Sequence, residues 1–276
     1  MSYHRILTIQ DISCVGQCSM TVAMPILSAC GQETCVLPSA VLSTHTGGFA
    51  DVVFRDLSHS MPEIWRHWQK EGISFDAIYT GYLGSVSQIE TVKEIFGNLK
   101  NTGGVTIVDP AMADHGKLYR GFDDNYVEAM KQLCACADIL VPNLTEACML
   151  TGHPYKDTFE ETEIKTLLEA LVMLGCKCVI LTGVGYGPEK TGVVIFQNGK
   201  LSRYAHKRIP RSYHGTGDIF AAALVGSYLY GKDLETAARI AADFTALCIE
   251  NTYQDPAHWY GVKFEPVLHK LIDMLK

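Results

Sequence analysis

His214-Gly215-Thr216-Gly217-Asp218-Ile219-Phe220-Ala221-Ala222-Ala223 sets a glycine-rich turn directly before a run of small and apolar residues. The pattern predicts a tightly packed helix from Asp218 to Tyr230 with an open N-terminus. The first amides of a helix have no intrahelical partner and lie at the positive end of its dipole, so together they attract an anion such as a phosphoryl group in transfer. A carboxylate at Asp218 would stand beside that anion. It could take the proton of an attacking hydroxyl while the amides of Gly215, Thr216 and Gly217 stabilise charge on the phosphoryl oxygens. Taken alone, the same residues serve equally well as a helix cap, since Asp is a favoured capping residue.

Working outward from this stretch, strand patterns alternate with helix patterns. Strands are predicted at His4 to Gln10, Glu33 to Pro38, Ala77 to Thr80, Val105 to Asp109, Ile139 to Val141 and Cys178 to Thr182. Helices are predicted at Cys18 to Cys30, Glu63 to Gly72, Ser87 to Leu99, Asn125 to Ala135 and Glu161 to Leu174. Alternation of this kind favours a mainly parallel sheet covered by helices. The rhythm then changes: Thr191 to Gln197 and Leu201 to Ile209 flank Asn198-Gly199, a pair suited to the positive backbone angles of a hairpin turn, so an antiparallel hairpin is expected. Helices at Leu234 to Glu250 and Pro266 to Met274 complete the chain. No repeat, low-complexity tract or linker interrupts it, and residues 1–276 read as one domain.

Of the 276 residues, 47% are hydrophobic and 19% charged, enough to bury a large core. The net charge of -7 and the scattered Lys and Arg residues leave no basic stripe for nucleic acid or an anionic membrane, which favours a small-molecule partner. Cys30, Cys35, Cys134, Cys136, Cys148, Cys176, Cys178 and Cys248 sit in apolar runs and read as reduced, packed thiols. Two C-x-C pairs lack the second pair that a zinc site needs. Reduced thiols, an opening segment without the apolar core of a signal peptide, and no apolar stretch of about 18 residues point to a cytoplasmic protein.

Two more segments carry oxygen ligands at strand ends. Pro142-Asn143-Leu144-Thr145-Glu146 follows the strand at Ile139 to Val141, and Val108-Asp109-Pro110-Ala111-Met112 ends another. A carboxylate and an amide can hold hydrated magnesium, which prefers oxygen and keeps several waters. The plainer readings are a helix start with Glu146 in its first turn and a strand-ending Asp-Pro turn. The sequence holds neither a Walker A motif nor the protein-kinase motif set. Gly183-Val184-Gly185-Tyr186-Gly187 precedes a hairpin, where a dinucleotide fingerprint would need a helix.

Taken together, Gly215-Thr216-Gly217-Asp218, Asn143-Leu144-Thr145-Glu146 and Asp109-Pro110-Ala111-Met112 resemble the motifs of the ribokinase superfamily. Three further stretches resemble its pyridoxal kinase family: Ile6-Leu7-Thr8-Ile9-Gln10 with Val15-Gly16, Leu42-Ser43-Thr44-His45-Thr46-Gly47-Gly48, and Thr80-Gly81-Tyr82-Leu83-Gly84-Ser85. The resemblance spans nearly the whole chain. It implies a ribokinase-like three-layer α/β/α fold and ATP-dependent phosphorylation of the hydroxymethyl group of a vitamin B6 compound. Asp218 would be the base, and Gly215, Thr216 and Gly217 the anion hole. It also implies that Asp109, Asn143, Glu146, Thr182 and Gly183 hold ATP, with Asp109, Asn143 and Glu146 on magnesium and room for a monovalent cation. Asp11, Cys18, Leu42, Thr46, Gly47 and Tyr82 would line the acceptor pocket, and the protein would be a homodimer.

At Asp11 the chain departs from the family, whose common Ile-Gln-Ser pattern here reads Ile9-Gln10-Asp11. The expected consequence is altered ring or amine recognition. The departure leaves a hydroxymethylpyrimidine kinase as the rival enzyme, and a nucleotide-binding sensor without catalysis as the rival from another class. The histidines, among them His45 and His214, have no metal-binding spacing. By position Ile249 to Tyr253 could contact adenine, and it reads equally well as a solvent-facing helix end.

Overall fold

The computed structural model describes residues 3–276. Its eleven strands are β1 (Arg5–Ser13), β2 (Glu33–Leu42), β3 (Phe54–Asp56), β4 (Phe75–Thr80), β5 (Lys100–Val108), β6 (Ala113–Asp114), β7 (Lys117–Leu118), β8 (Ile139–Leu140), β9 (Cys178–Gly185), β10 (Lys190–Gln197) and β11 (Lys200–Lys207). Its helices are α1 (Met20–Ala29), α2 (Ser60–Lys70), α3 (Val86–Leu99), α4 (Asp124–Cys134), α5 (Leu144–Thr151), α6 (Glu161–Met173), α7 (Thr216–Leu229), α8 (Leu234–Tyr253) and α9 (Leu268–Leu275).

Nine strands form one sheet in the order β11-β10-β9-β8-β5-β4-β1-β2-β3. From β2 to β9 every neighbouring pair is parallel. The edges are antiparallel, β3 on β2 at one side and the β10–β11 hairpin on β9 at the other. Strands buried on both faces must be apolar at nearly every position, and alternate residues then serve opposite layers. Leu7, Ile9, Ile78, Val108, Leu140, Val179 and Leu181 face a core that takes in Trp65, Val92, Met130, Leu150 and Leu168 of α2 to α6. Ile6, Ala77, Ile107, Ile139 and Ile180 face a second core with Val22, Leu224, Phe244 and Leu271 of α1, α7, α8 and α9. The result is the expected three-layer α/β/α architecture, mainly parallel with a late antiparallel hairpin.

The differences from the sequence reading are local. β3 is fully exposed, and β6 and β7 have two residues each, too short to impose a periodicity. β1 runs on to Ser13, β2 to Leu42 and β9 to Gly185, because pairing with neighbouring strands continues past the apolar stretches. All ten cysteines are free, but Cys136 is exposed and Cys35 only half-buried, correcting their reading as packed thiols. Cys136 lies past the end of α4, where its thiol turns back to the Gln132 carbonyl at 3.4 Å.

α7 is seated by a close approach to α1. A Cβ added at Gly226 would come within 2.5 Å of the Cys30 sulfur and 2.8 Å of its Cβ. Gly226→Ala should therefore lower stability by about 1–2 kcal/mol, the overpacking cost less the gain in helix propensity. Urea unfolding reads this directly, and unchanged stability would show that α1 can yield.

Candidate active site

Asp11, Leu42, the segment after Thr80, Asp109, Asn143 and Thr182 all lie at or just past the carboxyl ends of adjacent parallel strands. The register shows this across the sheet: Ser13 pairs with Leu42, Thr80 with Val108, Val108 with Leu140, and Asn143 bridges Thr182. Open α/β sheets bind ligands along this edge. From β1 to β9 there are four interstrand steps, so the two ends of the row stand roughly 19 Å apart.

The N-terminus of α7 faces this edge. α3, α4, α5 and α8 each begin with a Ser, Asp or Asn side chain that accepts from the first-turn backbone. α7 begins with Gly215 at φ 84° and has no capping side chain. Among the described residues no acceptor takes the amides of Gly215, Thr216 or Gly217. Asp218, expected to open the helix, instead stands third in it, so it is not the cap. Glycine is required at 215 by the left-handed backbone and by space, since an added Cβ would lie 1.9 Å from the Gln17 carbonyl oxygen. The first amides of α7 are thus left without a protein acceptor.

Asp218 keeps an opening to solvent but is otherwise surrounded by protein. Burial pushes its pKa up to about 7; the Ser19 amide turned toward it pulls the other way, and the nearby Asp11 carboxylate adds to the rise. Asp109 is buried at the end of β5, its amide bonded to the Thr80 carbonyl at 3.0 Å. Burial and then the charges of Glu146 and Asp218 raise its pKa. Glu146 is also raised by burial, against backbone amides that favour its charged form.

Asn143 and Glu146 form a reciprocal capping box on α5. The Glu146 amide donates to the Asn143 side chain at 2.9 Å, and the Asn143 amide to the Glu146 carboxylate at 2.8 Å. Glu146 also accepts from the Met112 amide at 3.2 Å, and the Asn143 side-chain amide donates to the Ala113 carbonyl at 2.9 Å. These bonds tie the strand ends of β5 and β8 together. They also make the plainer reading, a helix start, true of the same residues.

The donor set fits a hard, hydrated cation. Asp109 and Glu146 are oxygen donors gathered at one edge, and no Lys or Arg is among the groups that perturb them. Among the described residues, no three His, Cys, Asp or Glu side chains converge closely enough to hold an ion by themselves, so water and phosphate oxygens would complete its shell. Thr182 and Gly183 follow on β9; the Thr182 amide donates to the Pro142 carbonyl at 2.9 Å, and Gly183 is exposed with φ 72°.

At the other end of the row, Asp11 is buried and accepts from the Ser13 hydroxyl at 3.0 Å. Burial raises its pKa, while Ser19 and Ser13 hold it down. Cys18 is a buried thiol pushed up by burial and by the Asp218 and Asp11 charges, so it is a neutral wall rather than a nucleophile. The Tyr82 hydroxyl is raised to about 12, by burial first and then by Asp11 and Asp56. Its ring stacks on Phe122 at 5.6 Å, and Phe122 on Tyr126 at 3.7 Å. Leu42 is buried at the end of β2; Thr46 is exposed on the following loop, and Gly47 lies under the His214 ring. Phe122, Ser13, Ser19, His45 and His214 escaped the sequence reading. The i, i+4 aromatic pair Phe122 and Tyr126 was the available signal for the stack, whereas Ser13 ends β1 beyond its apolar run and the others lie in loops without periodicity.

Free helix-start amides, a half-buried carboxylate in that helix's first turn and further buried carboxylates, at the sheet edge that also carries the stacked Tyr82, Phe122 and Tyr126 rings, are groups from which a small-molecule phosphotransferase can be built. The phosphomethylpyrimidine kinase family model matches residues 61–261. The chain belongs to this family of kinases. It is 28% identical to a pyridoxal kinase of Arabidopsis thaliana over 263 residues, covering 91% of this chain and 83% of that one. A Bacteroides thetaiotaomicron protein described as a phosphomethylpyrimidine kinase and crystallised with pyridoxal superposes with a TM-score of 0.93 at 37% identity, covering 98% of this chain and 96% of the other. Pyridoxal kinase from Lactobacillus plantarum gives 0.92 at 31% identity, covering 99% and 98%.

The raised pKa of Asp218 has a measurable consequence for stability. The contribution of its favoured neutral form is fully present below the ordinary value of 3.8 and is lost as pH rises through about 7. Asp218→Asn, which cannot ionise, should melt higher than the wild type at pH 8 without ligands, with the difference closing toward pH 4. Equal melting temperatures at pH 8 would mean that the carboxylate is better solvated than its surroundings indicate.

Proposed function

We propose that the chain transfers the γ-phosphoryl group of ATP to the hydroxymethyl oxygen of a vitamin B6 vitamer. The uncapped N-terminus of α7, with Asp218 in its first turn, carries this reading. The amides of Gly215, Thr216 and Gly217 face the phosphoryl group and stabilise its oxygens during in-line transfer. Asp218 takes the hydroxyl proton as the oxygen attacks phosphorus. Asp109 and Glu146, steadied by Asn143, would hold magnesium, which when bound neutralises phosphate charge. Thr182 and Gly183 border the nucleotide, and the end of α8 at Ile249 to Tyr253 is placed near adenine. Tyr82, backed by Phe122, walls the flat ring; Leu42 and Cys18 close its apolar sides, and Thr46 and Gly47 cover it.

Asp11 bears on the choice of vitamer. It is a buried carboxylate supported by hydroxyls, with no Lys or Arg among the groups that set its pKa. Such a group gains most from a cationic ligand, either a protonated pyridine nitrogen or the ammonium of pyridoxamine. The likeness to pyridoxal kinases over nearly the full chain supports a B6 acceptor over hydroxymethylpyrimidine, which the family's name keeps as the second reading. The continuous sheet supports one domain over 1–276, and ten free thiols support a reducing, cytoplasmic setting. The homodimer rests on family likeness alone.

Purified protein with ATP and magnesium should convert pyridoxal, pyridoxamine or pyridoxine to its 5'-phosphate, identified by mass spectrometry. Preference for hydroxymethylpyrimidine would move the acceptor and keep the mechanism, whereas stabilisation by ATP without turnover on any acceptor would favour the sensor. Turnover should rise with pH through about 7 as Asp218 ionises. Asp218→Asn should lower kcat by roughly 10²–10⁴-fold while ATP binding changes little. Asp11→Ser should shift the pyridoxamine to pyridoxal ratio of kcat/KM by about tenfold, the worth of roughly one charge-assisted contact; an unchanged ratio removes Asp11 from selectivity.

A further inference from the structure

Three glycines beside the acceptor pocket leave room for three rings. A Cβ at Gly16 would come within 2.2 Å of the His45 ring, one at Gly47 within 2.3 Å of the His214 ring, and one at Gly48 within 2.8 Å of the Trp259 ring. The rings themselves are in contact, with centroids 5.0 Å apart for His45 and His214, 5.1 Å for His45 and Phe49, and 4.7 Å for Phe49 and Trp259. At the centre, His45 is buried and bonded through both nitrogens. The Gly47 amide donates to Nδ1 at 3.1 Å, and Nε2 lies 2.8 Å from the Tyr260 carbonyl oxygen. A backbone amide can only donate and a carbonyl can only accept. The imidazole is therefore neutral, with its proton on Nε2.

These contacts close a ring around the reaction centre. The loop of Thr46 and Gly47 is tied through His45 to Tyr260. The next residue, Gly261, packs on Gln17, whose amide nitrogen an added Cβ would approach within 2.8 Å. The Gln17 carbonyl abuts Gly215 of the anion loop, and His214 of that loop returns to Gly47. We infer that His45 is a positioning residue that, as the neutral imidazole, seats the acceptor loop over the anion loop and so sets acceptor binding. It touches neither phosphate nor acceptor.

Protonation would place a second donor on Nδ1, facing the Gly47 amide, and break that bond. The groups around the ring favour the neutral form. From the anion loop His214 faces it; burial lowers its pKa, the Tyr260 carbonyl works against that, and His214 adds to the lowering. From the C-terminal segment, the His258 ring lies tilted against Tyr260 at 4.4 Å between centroids, with the Asp255–Lys263 ion pair beside it. The β1–α1 loop contributes Gly16 and its own loop Phe49, neither of them charged.

The test uses His45→Ala, with His45→Asn and His45→Gln as milder variants that each keep one of the two bonds, and the best acceptor from the panel. KM for the acceptor should rise about tenfold in the alanine variant and less in the milder ones, with KM for ATP within about twofold. In the wild type, log(kcat/KM) for the acceptor should fall with slope one as Asp218 protonates, then more steeply, by up to about a further tenfold, as His45 follows; the variants should keep slope one throughout. Iodide quenching of Trp259 gives a readout that needs no acceptor. Quenching should increase on acidification in the wild type and be high at all pH values in His45→Ala. An unchanged acceptor KM, an equal rise for ATP, or a steeper fall retained in the variants would overturn the inference. The inference rests on the B6 reading only for the choice of acceptor. A wild type that phosphorylates another alcohol would sink that reading and leave the His45 comparison intact.

Discussion

The uncapped N-terminus of α7 is the constraint around which the molecule is arranged. A helix start often satisfies its first amides with a side chain, as four other helices here do. α1, α2 and α9 also lack such a cap, but α7 alone opens on a left-handed glycine held against a neighbouring carbonyl with a carboxylate in its first turn, and water or an anion must take its free amides. Everything that holds Gly215 in place serves this end. α7 is pinned along its length by the Gly226 contact with α1, and the anion loop is pinned at its tip by Gln17. The parallel sheet brings the remaining chemistry to the same edge, because parallel strands all end on one side.

Charge explains why the site is poised rather than merely assembled. Asp11, Asp109, Glu146 and Asp218 are carboxylates with raised pKa values, and burial is the first cause in each. Backbone amides, Ser13 and Ser19 offset only part of this cost. In the proposed function, cations arriving with substrate would relieve the remainder and couple stability to occupancy. The same burial places Asp218 near neutrality, where the proposed acceptor for a hydroxyl proton would work best.

Much of this was legible before any coordinates. The alternation of strand and helix patterns yields the parallel sheet, and Asn198-Gly199 the hairpin, because both signals are local and strongly periodic. Asp218, Asp109 and Glu146 stand at strand and helix ends, and the resemblance of their motifs to the ribokinase superfamily, more than spacing, singles them out. What spacing could not separate was cap from ligand: Asn143 and Glu146 are a capping box in fact, and Asp218 is not a cap although it looks like one. Contacts between distant loops left no trace. His45 meets Tyr260 across most of the chain, and Gly47 meets His214. The exposed Cys136 was misread because an apolar neighbourhood in sequence became a surface turn in space.

The most direct test of the account is the fate of the phosphorus atom. Following a reaction of ATP and pyridoxine by ³¹P NMR should show one new phosphate monoester signal growing in step with ADP, in the wild type and not in Asp218→Asn. Inorganic phosphate growing in its place, or ester formation undiminished in the variant, would contradict transfer to a hydroxymethyl oxygen with Asp218 as the base.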